Sequence, residues 1–177
     1  MELKEPSLRI SKTLVELLHK DEFLVLSFFL LKGSKDLKSI TRDTGLSAIR
    51  VIKAISGLKV KDLVLGKSTQ PETVELLPVA YPKEGEIICR VPEWVILGFK
   101  SRAADKQLIT YYFRESGNFD GNISELAEGI GMKKRNANYC LAFLEKENII
   151  KRHNDGQRIR LELLDRPKKG FFRALFE

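Results

Sequence analysis

The side chains best suited to chemistry in this 177-residue chain are basic and amide groups gathered in two short stretches. Lys133, Lys134 and Arg135 open an amphipathic run, with Asn136 and Asn138 directly behind them. Lys151, Arg152, Arg158 and Arg160 flank Asn154-Asp155-Gly156 a little further on. Lysine and arginine neutralise phosphates, arginine can grip guanine O6 and N7 with two N–H groups, and an asparagine amide matches adenine N6 and N7. The set therefore suits contact with double-stranded DNA. Lys133 and Lys134 would hold phosphates, Arg135, Asn136 and Asn138 would reach base edges, and Arg152, Arg158 and Arg160 would meet an adjacent groove or backbone. Residues 105–164 hold 10 Lys/Arg against 9 Asp/Glu, so a positive face there depends on distribution rather than on total charge. Asp105, Glu115, Asp120, Glu125, Glu128, Glu145 and Glu147 are expected on other elements.

Other chemistries find little support. Gly66-Lys67-Ser68-Thr69 looks like the end of a phosphate-binding loop, but Lys61 stands where the upstream glycine is required, and Pro71 follows where a helix should start. His19 and His153 are isolated, without companions at metal-ligand spacing. Cys140 falls on the apolar side of its run and reads as core. No nucleophile–base set or carboxylate pair emerges, so no enzyme activity, cofactor or metal is expected. The composition, 43% hydrophobic and 31% charged with a net charge of +7, is that of a globular chain with an anionic partner. Two unpaired cysteines favour a reducing, cytoplasmic setting. The longest apolar run, residues 23–31, is too short to cross a bilayer, so no transmembrane segment is expected.

The elements that must carry these residues follow from periodicity. Residues 122–150 read as a helix, a tight turn at Gly131 and a second helix. Apolar Leu126, Ala127, Ile130, Ala137, Leu141 and Leu144 are at helical spacing, which turns the basic residues outward. Two strand-like runs joined by Asn154-Asp155-Gly156 follow. The first half has the same order. An amphipathic helix is expected over residues 7–20 and an apolar one over 21–32, ended by Gly33. Asp36 caps a third helix ending at Gly45, and Ser47 caps a fourth. A strand over 61–65, a loop over 66–72 and a returning strand over 73–78 complete it. Aligning Gly45 with Gly131, an offset of 86, superimposes Ile40 on Leu126, Val51 on Ala137, Ile55 on Leu141 and Leu58 on Leu144 without a gap. Upstream, an offset of 84 aligns Phe29 with Phe113, so the second copy carries two extra residues in its first loop. In the first copy Ser47, Arg50, Lys53 and Lys67 are the corresponding outward residues. Apolar Ala48, Ile49 and Ile52 thin out that surface.

Both copies resemble winged helix-turn-helix DNA-binding domains, on ISELAEGIGMKKRNANYCLAFLEKENII with RHNDGQRIRLEL, and on LKSITRDTGLSAIRVIKAISGLKVKDLVL. In the second copy Ala127 stands at the small position of the first helix, and Gly131 in the turn. The first copy departs with Thr41 at the small position and a longer, less basic wing. The phrase CRVPEWVILGF is similar to the lead-in of plasmid and phage replication initiators and replisome organisers. Paired winged helices also occur in partners of condensin-like complexes, where they bind protein.

The resulting expectation is a mainly α protein with small β-hairpin wings (α+β), built as two tandem winged helix-turn-helix domains. The first domain spans 1–78 and the second 105–165, with a connector at 79–104 packed between them and an amphipathic tail at 166–177. The partner would be double-stranded DNA, in transcription regulation or replication initiation, with a homodimer compatible. The different-class alternative is a non-catalytic assembly protein, in which Phe171, Phe172, Leu175 and Phe176 of the tail bind a protein partner.

Overall fold

The computed structural model describes residues 7–97, 102–114 and 119–164. They form an α+β structure of helices with small antiparallel sheets. Among them no helix is long and apolar enough to cross a membrane. The chain divides into two compact units, Met1–Gly98 and Phe99–Glu177.

The first unit is built on α2 (Lys20–Lys32), whose residues from Phe23 to Phe29 are all buried. A helix that is apolar on all sides can be stable only when surrounded. Its neighbours are α3 (Leu37–Thr44), α4 (Ala48–Val60) and α5 (Glu93–Leu97). Ile40, Val51, Ile55, Leu58, Val95 and Ile96 face inward from them, each contributing about 1.5–3 kcal/mol by leaving water. A hairpin of β2 (Val64–Lys67) and β3 (Gln70–Leu76) follows α4.

Three expectations for this half are corrected. Residues 7–20 are not one helix: β1 (Ser7–Ser11) precedes the short α1 (Lys12–Leu17). Leu8 and Ile10 point inward because β1 pairs antiparallel with β4 (Ile88–Pro92), from Ser7↔Pro92 to Ser11↔Ile88. That partner lies far along the chain, beyond any local periodicity. The segment expected as a separate connector is part of this unit for the same reason, since β4 completes the sheet with β1 and α5 packs on α2 and α3. The hairpin loop is also shorter than 66–72, because the strands close on Ser68-Thr69. Gly66 makes the bulge this requires: its φ is +115°, and a Cβ there would come within 2.6 Å of the Thr73 carbonyl oxygen.

The second unit holds α6 (Ala103–Arg114), β5 (Phe119–Gly121), α7 (Ile123–Ile130), α8 (Lys134–Lys146), β6 (Ile150–Asp155) and β7 (Arg158–Leu163), with sheet order β5-β7-β6. Asn122 and Glu125 close a reciprocal cap at the start of α7, and Gly131 ends it at φ +78°. The core gathers Leu108, Ile109, Leu126, Ala127, Ala137, Leu141, Leu144, Ile159 and Leu161. Strand pairing runs to Asp155↔Arg158, so the turn is Gly156-Gln157, two residues beyond the expected start at Asn154.

Backbone landmarks recur at the 86-residue offset. α3 and α7 match end for end, as do α4 and α8. Asp62 and Asn148, both at unusual positive φ (54° and 55°), end the longer helices. The Leu63 amide donates to Leu58 at 3.0 Å, and the Ile149 amide to Leu144 at 2.9 Å.

Candidate nucleic-acid interface

α8 separates its faces cleanly. Ala137, Cys140, Leu141 and Leu144 are buried, whereas Lys133, Lys134, Arg135, Asn136 and Asn138 are exposed on its first two turns. Among the described residues neither Lys133 nor Lys134 enters an ion pair. The start of α8 differs from the other capped helices. His19, Asp36, Ser47 and Asn122 each accept a backbone N–H at the head of α2, α3, α4 and α7, but Lys133 offers no side-chain cap. The first turn of α8 also holds no acid. Unpaired amides, the positive end of the helix dipole and two ammonium groups thus coincide, which favours an anion such as a phosphate.

Arg135 is held in place by Tyr139, one helical turn further on. Its Nε and Nη2 donate to the Tyr139 hydroxyl at 3.2 and 3.1 Å, and its guanidinium lies 5.5 Å from the ring centroid. Tyr139 is itself 51% exposed. The i,i+4 spacing of Arg135 and Tyr139 was the available signal. With one edge of the guanidinium on the hydroxyl, its remaining N–H groups are free to face a ligand.

The hairpin contributes less than expected. Arg152 donates to Glu145 at 3.0 Å and ties β6 to α8. Arg158 donates to the Asp120 carboxylate at 3.1 Å and its carbonyl at 3.2 Å, clamping β7 to β5. One expectation is corrected here, since Glu145 belongs to α8 itself; Arg152 and Arg158 are each tied to a neighbouring element, with the Arg158 side chain 63% exposed. His153 meets Glu162 at 2.5 Å, and this contact holds the Glu162 carboxyl below its usual range. Arg160 and Lys151 are exposed, on a sheet face they share with Glu162 and Asp120. The outer face of the sheet is therefore mixed in charge, and the clear positive surface is the start of α8.

The first unit presents different chemistry. Arg50 makes a two-pronged pair with Asp21 at 2.9 and 2.6 Å while its side chain stays 43% exposed. The Ser47 hydroxyl caps α4 through the Arg50 amide at 3.4 Å. Lys53 and Lys67 are exposed, but the head of α4 carries Ala48 and Ile49, the latter 67% exposed.

Cys140 is a core residue. Burial, with the neighbouring Asp105 carboxylate, pushes its thiol up to about 12. Asp105 is itself gripped by Arg102 at 3.1 and 3.2 Å. His19 is a helix cap, accepting from the Asp21 amide at 3.2 Å. Among the described residues no cluster of His, Cys, Asp and Glu could hold a metal ion. Phe171, Phe172, Leu175 and Phe176 lie outside the described residues. No family model, curated protein or solved structure matches the chain.

Proposed function

We propose that the two units are tandem winged helix-turn-helix domains and that the chain binds double-stranded DNA, chiefly through the second, as a transcription regulator or replication-initiation factor. The observation that carries this reading is the head of α8, with Lys133, Lys134 and Arg135 gathered on an uncapped helix start without an acid. Its width suits the major groove. Lys133 and Lys134 neutralise phosphates, and Arg135, Asn136 and Asn138 face base edges.

A salt series on duplex binding tests this. Replacing Lys133, Lys134 and Arg135 together by alanine should lower the slope of log K against log salt by roughly 2, at about 0.9 for each of the two lysine phosphate contacts. Absence of duplex binding by the native chain at low salt would overturn the reading. One observation favours a second role, protein assembly, for the first unit: at the position where α8 gathers charge, α4 exposes Ile49 beside Ala48 and ties Arg50 down.

A further inference from the structure

The two units differ by one strand. In the second, β5 pairs antiparallel with β7 through Phe119↔Leu161, Asp120↔Arg160 and Gly121↔Ile159. In the first, β3 has β2 on one edge and, among the described residues, no strand on the other. The cause is chain length. Residues 33–36 join α2 to α3, whereas residues 115–122 join α6 to α7 and include β5.

The open edge can be placed by hydrogen bonding. The Leu77 amide donates to Leu63 at 2.9 Å, as the Leu164 amide donates to Ile149 at 2.9 Å, so Val74 stands where Leu161 stands in the second unit. Because Leu77 points to β2, alternation along the strand aims the backbone groups of Val74 and Leu76 at the open edge. The Ser34 hydroxyl sits there and donates to the Val74 carbonyl. It satisfies that oxygen, yet can rotate away when a backbone amide arrives.

Beside this edge lies a groove of about 400 Å³, lined by Phe29, Leu30, Ser34, Val74, Glu75 and Tyr81, among others. In the second unit the strand at this edge brings its own aromatic residue: Phe119 is only 8% exposed and packs on Tyr111 with ring centroids 6.4 Å apart. The repeat thus shows what covers this edge when it is covered.

We propose that the groove and the open edge of β3 form a docking site for an extended segment of a partner protein, which adds as a strand antiparallel to β3 and inserts an aromatic side chain beside Phe29, Leu30 and Tyr81. Backbone pairing supplies the affinity and the aromatic residue the selectivity. The second unit supplies the pattern, aromatic then polar then small, as in Phe119-Asp120-Gly121. The middle residue faces outward. In the second unit it is Asp120, held by Arg158 at 3.1 Å. Gln70 stands in place of that arginine in the first unit, pairing with Lys67 as Arg158 pairs with Asp155, and Glu72 and Glu75 are exposed nearby, so a basic middle residue is the match. The chain's own 166–177 segment fits this pattern poorly. Its adjacent Phe171 and Phe172 would, on a strand, put one ring in the groove and the other into water.

The proposal does not rest on DNA binding and can be tested on the full-length chain. The probe is the synthetic capped peptide GNFKGN, followed through backbone amide NMR shifts. Saturable shifts are expected at Ser34, Val74, Leu76 and Tyr81. Binding should weaken by at least about tenfold when the peptide phenylalanine becomes alanine, fall with GNFDGN, and be lost in the groove-filling variant Leu30→Trp, whose remaining amides report whether it is folded. The proposal is overturned by an absence of saturable shifts or by an equal response to the alanine peptide. Shifts centred on Ile159 and Leu161, or tighter binding of RPKKGFFRALFE in the groove, would also overturn it.

Discussion

Lys134 sits in the first turn of α8, where a helix ordinarily favours an acid. Lys134→Glu should therefore stabilise the protein by about 0.3–1 kcal/mol in thermal unfolding while cutting duplex affinity. A drop in stability together with unchanged binding would contradict the assignment. Tyr139 makes a second test. Removing its ring and hydroxyl frees Arg135 to move, and cation–π support of about 0.5–1 kcal/mol predicts a two- to fivefold loss of duplex affinity for Tyr139→Ala, measured by fluorescence anisotropy. Cys140 gives a pH prediction. Its folded thiol titrates near 12 against an ordinary 9.0. A proton-binding group raised on folding stabilises fully below its unfolded value, so this contribution is present below pH 9 and is lost as pH climbs towards 12. The difference in stability between the native chain and Cys140→Ala should shrink across that window. The residues themselves were legible from type and spacing. Their partners were not: Arg50, Arg152 and Arg158 all look like surface cations until Asp21, Glu145 and Asp120 are brought beside them.

Among the elements, α3 and α4 begin directly after the polar residues expected to cap them, Asp36 and Ser47, and α7 begins directly after Asn122. Helix signals are local, since a cap, a 3.6-residue stripe and a closing glycine all lie within one stretch of chain. Strand limits are less legible: residues 7–11 form β1 rather than helix, and both hairpin turns lie elsewhere than expected, because a strand exists only with its partner and its register is a property of the pair. The arginine ties belong at this scale too. Arg50→Ala should loosen α4 from α2, and Arg152→Ala should loosen β6 from α8, each costing about 1–2 kcal/mol. Thermal unfolding should register this as a loss of several degrees. Duplex affinity at fixed salt should change little; a loss matching that of the combined Lys133, Lys134 and Arg135 replacement would place these arginines on the binding surface.

At the scale of the whole molecule, the chain repeats one backbone plan with two different surfaces. If the second unit carries the DNA contact, replacing Lys53 and Lys67 together should change duplex affinity less than replacing Lys133 and Lys134, measured in one salt series. An equal loss would show both units on the duplex. The net charge of +7 does not decide between these outcomes, because neutralised and free cations count alike in it. By itself the sequence determined the repeat, its 86-residue offset, the buried stripes and the helix starts, since all of these are set by neighbours within a few turns. Only the tertiary structure decided that β4 closes on β1, that three candidate arginines pair with acids from other elements, and that, among the described residues, β3 has an open edge where β7 is covered. Those facts depend on groups distant in sequence meeting in space, and local spacing does not encode which of them meet.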